Sequence, residues 1–94
     1  MNALLESKRE AVLDLARRYG VTRVRVFGSM AREDATEESD VDLLVDVGEA
    51  TTGFGLGGLL MDLQDLLGRR VDLVTEQALH PSIREKILSE AVRL

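Results

Sequence analysis

The sequence has no cysteine and no tryptophan, one proline (Pro81), one tyrosine (Tyr19) and one histidine (His80). Without cysteine there is neither a disulfide nor a thiolate metal site, and a single imidazole argues against a histidine-built zinc centre. No apolar run approaches the ~20 residues needed to cross a bilayer. The first stretch, MNALLESKREAVLDLARR, is charged throughout and lacks the apolar core of a signal peptide. The expectation is a cytoplasmic protein with no membrane partner. Basic residues are also in short supply, 12 against 17 acidic, for a net charge of -5. That balance argues against direct nucleic-acid binding, which needs clustered Lys and Arg to neutralise phosphates. Nucleotide binding stays open, because a divalent cation can bring the positive charge locally. What remains is 94 residues with 45% hydrophobic content, enough for one compact domain over 1–94 with a modest core.

The apolar periodicity divides the chain. Leu4, Leu5, Ala11, Val12, Leu15 and Ala16 recur at helical spacing, with Arg17, Arg18 and then Gly20 as a stop. VTRVRVF, Val21 to Phe27, alternates as a strand, with Thr22, Val24 and Val26 on one face and Arg23 and Arg25 on the other. Gly28-Ser29 breaks it, and Met30 to Asp34 fit a short helical turn that Ser29 starts. Glu33 to Ser39 read as an acidic loop. Val41 to Val47 form a second strand, on which Asp40, Asp42, Leu44 and Asp46 share a face. The segment TTGFGLGGLLMDLQDLLG carries a helical leucine stripe ended by Gly68, and its four early glycines weaken the helix start. RVDLVT, Arg70 to Thr75, is a third strand. Pro81 opens a last helix whose stripe runs Ile83, Ile87, Leu88, Ala91 and Val92. The order predicts an α/β (α+β) fold with helices packed on a small mixed sheet of about three strands.

Asp40 and Asp42 stand where a buried strand would carry valines. Their Cα atoms lie roughly 6.5–7 Å apart along a strand, so two like charges on one face need a compensating cation. A hard divalent ion with oxygen ligands is the candidate, and Mg²⁺ favours a few carboxylates plus substrate phosphates. Asp72 interrupts a second apolar strand and joins the pair if the two strands are neighbours in register. Three carboxylates at one sheet end are a ligand set for two-metal phosphoryl transfer. Asp46 lies about 13 Å beyond Asp42 along the strand and reads as a solvated strand end. Gly28 lets a phosphate approach the backbone, Ser29 offers a hydroxyl, and Arg32 could reach a phosphate or pair with the acidic loop.

The string Gly28-Ser29-Met30-Ala31-Arg32, followed by SDVDLLV (Ser39 to Val45) and by VDLV (Val71 to Val74), resembles the minimal nucleotidyltransferase domain. This is the small branch of the DNA polymerase β-like nucleotidyltransferase superfamily. The resemblance implies that Asp40, Asp42 and Asp72 hold two Mg²⁺ ions and are catalytic. It also implies that Gly28 and Ser29, with Arg32, bind a nucleoside triphosphate, taken to be ATP. The implied reaction is attack of an acceptor hydroxyl on the α-phosphate with release of pyrophosphate, Asp72 being placed to take the hydroxyl proton. The commonest small version of the family has glycine after the arginine, where this chain has Glu33.

Stand-alone domains of this kind are typically antitoxins paired with a HEPN-domain toxin, a ribonuclease, to which members transfer AMP at a tyrosine. The resemblance therefore implies a hetero-oligomer with such a toxin. The stretch ALHPSIREKILSEAVRL is similar to the tail of that antitoxin group. Two alternatives remain: an antitoxin that neutralises by binding alone, and a nucleotidyltransferase acting on a small hydroxylated molecule. The stripe Leu79, Ile83, Ile87, Leu88 and Val92 and the segment Phe54–Leu67 are read as core first and as docking surfaces second. His80 is read as a helix-entry residue, Arg17-Arg18 and Arg69-Arg70 as helix-end and loop charges with Arg70 within reach of a phosphate, and Tyr19 as a packed side chain.

Overall fold

A computed structural model describes residues 2–48 and 53–94, with the side chains of 53 and 54 left aside. Thr51 and Thr52, which open the glycine-rich segment, and the Phe54 side chain fall outside it. Helix α1 (Ala3–Arg18) starts where the Asn2 carboxamide oxygen accepts the Leu4 N–H at 2.8 Å, and ends with Arg17 and Arg18 at the negative end of the helix dipole. Strand β1 (Val21–Phe27) runs to the short helix α2 (Ser29–Arg32), and β2 (Val41–Val47) follows the acidic loop. Helix α3 (Gly53–Leu67) leads to β3 (Val71–Val74), a 3-10 turn (Glu76–Ala78), α4 (Pro81–Glu90) and β4 (Val92–Arg93).

The sheet has four strands in the order β3-β2-β1-β4, with β2 and β3 parallel and the other pairs antiparallel. The helical connection α3 supplies the crossover that a parallel pair needs. The fourth strand corrects the count of about three. Val92 is not on the last helix: the chain turns extended at Ala91, and Val92 and Arg93 pair with Val26 and Arg25.

The core lies on one face of the sheet. Leu5, Val12 and Ala16 of α1 meet Leu59, Leu63 and Leu67 of α3 over Val24, Val26, Val41, Leu43, Val45 and Val71. The glycine-rich start of α3 is helical from Gly53, and packing requires one of its glycines. A Cβ on Gly58 would stand 2.9 Å from Tyr19 Cε1, so the missing side chain makes room for the ring. Tyr19 donates its hydroxyl to Asp62 at 2.6 Å, and this bond, with burial, raises its pKa.

Two strand readings change. β1 and β2 slip by one residue between Val21 and Arg23, so Thr22 sits in a bulge, exposed, and does not share the inward face of Val24 and Val26. Asp46 is not a solvated end: Arg23 Nε meets it at 2.7 Å and Arg25 Nη2 at 3.3 Å. Arg25 also reaches Glu76 at 2.7 Å and so links β1, β2 and the 3-10 turn across the second face of the sheet. Of the C-terminal stripe, Leu79 is buried, Ile87 and Leu88 are half-buried, and Ile83 and Val92 are exposed.

Candidate active site

The end of the sheet where β1 stops and β2 and β3 begin gathers the residues singled out above. The Val41 N–H donates to the Arg70 carbonyl at 2.9 Å, and this bond sets the register. Val41 stands opposite Val71, and Asp42 therefore stands opposite Asp72. On the other side Asp42 is paired with Phe27, the last residue of β1. Gly28 follows with φ +72, where side chains are rarely tolerated, and a Cβ there would overlap the Asp42 carboxylate. The glycine thus serves two needs at once, the turn off β1 and the close approach of a carboxylate.

Asp42 is half-buried, and its pKa rises from 3.8 to about 6. Burial is the largest cause, followed by the charge of Asp72, a hydrogen bond with Asp72, and the charge of Asp40; Arg32 opposes them. Below about pH 6 the Asp42 carboxyl is protonated and donates to Asp72. Asp40 precedes β2 in a loop that Arg69 ties down, its Nη1 donating to the carbonyls of Thr36 at 2.6 Å and Ser39 at 3.3 Å. Among the described residues no three carboxylate or imidazole groups form a ready-made metal cluster; the close pair is Asp42 and Asp72, with Asp40 beside it. The donors nonetheless fit a hard divalent cation. They are all carboxylate oxygens, and the repulsion that raises Asp42 is what such a cation relieves.

Arg32 ends α2, 48% exposed, with Nε on Asp34 at 3.3 Å and Nη1 on Glu90 at 3.2 Å. Its pKa is raised, by the bond to Asp34 first. The residue after it, Glu33, has φ 65, the left-handed conformation that glycine takes most easily. That is the position where the motif resembled in the sequence has glycine. Two residues at this end escaped the sequence reading, Glu90 and the clamping role of Arg69. Neither leaves a local signal, since both act on segments distant in sequence. His80 enters α4 as read, its Nδ1 accepting the Ser82 N–H at 3.1 Å. Concavities also lie away from the acidic pair, two of them as follows. One, of ≈190 Å³, is lined by Leu13, Ala16, Val21 and Leu94; the other, of ≈280 Å³, by Arg23, Asp46 and Glu76.

A family profile described as the nucleotidyltransferase domain matches residues 8–94. The chain belongs to the nucleotidyltransferase family. Among its relatives, the protein adenylyltransferase MntA of Thermococcus cleftensis is 43% identical over 79 residues, 84% of this chain and 80% of the relative. A solved structure described as a minimal nucleotidyltransferase superposes with a TM-score of 0.86 at 50% identity, over 100% of this chain and 97% of that one. A structure described as a toxin–antitoxin with AMP-PNP shares the fold at a TM-score of 0.75 and 19% identity, over 89% of this chain and 69% of that one. In this nucleotidyltransferase, among the described residues, no helix is long and apolar enough to cross a membrane.

Proposed function

We propose that this nucleotidyltransferase is an antitoxin that transfers AMP from ATP to a hydroxyl, a tyrosine, of a HEPN-domain toxin. The observation that carries the reading is the facing pair Asp42 and Asp72, with Gly28 packed on the Asp42 carboxylate. A carboxylate pair with a backbone turn closed against it is where a triphosphate and its cations would be held. The adenylyltransferase relative and the fold shared with a toxin–antitoxin structure support the choice of nucleotide and partner.

Asp40, Asp42 and Asp72 would hold two Mg²⁺ ions, and Gly28, Ser29 and Arg32 the triphosphate. When bound there, Mg²⁺ supplies neutralisation of the triphosphate charge and a lowered pKa for the acceptor hydroxyl. The tyrosine oxygen attacks the α-phosphorus, the bond from that phosphorus to the bridging oxygen of the β-phosphate breaks, and pyrophosphate leaves. The hydroxyl proton passes to Asp72, the exposed member of the facing pair. Arg32 balances charge on the leaving pyrophosphate.

The test is intact-mass measurement of the toxin after incubation with this protein, ATP and Mg²⁺, beside the Asp40→Ala/Asp42→Ala variant. AMP-sized steps with the wild type alone are expected. No step in a mixture that forms the complex would sink the transfer and leave an antitoxin that works by binding.

A further inference from the structure

Glu90, the last residue of α4, reaches back to the turn after β1. Its Oε1 accepts the Gly28 N–H at 2.8 Å and Arg32 Nη1 at 3.2 Å, while Oε2 lies 3.4 Å from the same Nη1. Gly28 is buried, so the acceptor of its N–H matters; a buried amide without one costs about as much as a lost hydrogen bond. One carboxylate therefore satisfies the backbone of the turn and fixes the guanidinium beside it. The Glu90 side chain is 21% exposed against 48% for Arg32, which makes it the better-held partner. Its backbone is held too, because β4 follows directly and pairs with β1.

Arg32 has a second anion within reach. Asp34, 61% exposed in the acidic loop, meets its Nε at 3.3 Å. Without Glu90 the guanidinium is left to Asp34, on the loop side of the turn. With Glu90 it is tied to the Gly28 turn, which closes against the Asp42 carboxylate.

We propose that Glu90 is a positioning residue for nucleotide binding, holding the Gly28 turn closed and keeping Arg32 at the acidic pair. This rests on the reading of Gly28, Ser29 and Arg32 as the triphosphate-binding residues. An arginine fixed before the ligand arrives loses less freedom on binding.

The experiment is calorimetric titration of the full chain with AMP-PNP in Mg²⁺, for the wild type, Arg32→Ala, Glu90→Gln and Glu90→Ala, with a melting curve for each. Glu90→Ala is expected to weaken binding by about tenfold, the scale of one charge-assisted hydrogen bond. Glu90→Gln keeps an acceptor for the Gly28 N–H and should show a smaller loss at an unchanged melting temperature, an effect that a purely structural role would not produce. Tighter binding by Glu90→Gln would mean that the carboxylate competes with the triphosphate and would overturn the proposal. So would wild-type affinity in both Glu90 variants while Arg32→Ala binds weakly. If Arg32→Ala binds like the wild type, or the wild type does not bind, the triphosphate reading itself fails and the proposal with it.

Discussion

Asp42 shows what a half-buried carboxylate set against a second one costs the fold that carries it. An unfolded chain would ionise it near 3.8, whereas the folded chain holds its proton to about pH 6, because burial and the neighbouring carboxylates disfavour the charge. Between those values the folded state binds more protons than the unfolded state, so stability rises as pH falls through 6 toward 4. Without divalent cations, urea unfolding should show the wild type gaining on the order of 1–3 kcal/mol between pH 7.5 and 4.5 from this group. Asp42→Asn should lack that slope and be the more stable protein at pH 7.5. Added Mg²⁺ should raise the wild-type melting temperature at pH 7.5 and leave Asp42→Asn nearly unmoved. A wild type whose stability is flat across this range would contradict the assignment. Position and identity of Asp42 were legible in the sequence because an aspartate in an apolar strand is conspicuous. Its altered acidity was not, since that depends on Asp72 thirty residues away and on the depth of the site.

Among the elements, α3 departs most from what residue preference favours. Gly53, Gly55, Gly57 and Gly58 fall in its first two turns, yet the helix forms because Leu59, Leu63 and Leu67 bury a continuous edge against α1 and the sheet. The glycines are not equivalent. A Cβ at Gly57 would meet nothing within 4 Å, whereas one at Gly58 would press on the Tyr19 ring. Gly57→Ala should therefore stabilise the protein by up to ~1 kcal/mol, through helix propensity alone. Gly58→Ala should lower the melting temperature, because the ring must leave the position from which Tyr19 bonds Asp62. Thermal melts of the two variants side by side check both signs. The β1 bulge at Thr22 was not legible, since period-two alternation predicts a regular strand and only the partner β2 reveals the slip.

Taken whole, the molecule closes its sheet with a strand that came last in sequence. β4 adds to the edge of β1, the Leu94 N–H donates to the Val24 carbonyl at 3.0 Å, and Leu94 packs on the main core. This short strand also anchors the end of α4, whose first six residues are exposed. Removing residues 92–94 should lower the melting temperature and, by loosening Glu90, weaken nucleotide binding in the same direction as Glu90→Ala. Truncation that lowers stability but leaves nucleotide affinity intact would show that α4 holds its position without β4.

The identity of α1 to α4 and of β1 to β3, the sheet-and-helix class and the six candidate residues could be read from the chain because they rest on local periodicity and local chemistry. Val24 and Val26 point one way whatever lies beside them, and Gly28-Ser29 is a break wherever it falls. The pairing of Asp42 with Asp72, the contact of Glu90 with Gly28, the ion pairs of Asp46 and the turn of Val92 into a strand all join segments remote in sequence. Such contacts form only when the whole apolar face is buried at once. The single register that buries Val41 and Val71 together is the one that sets the two aspartates face to face.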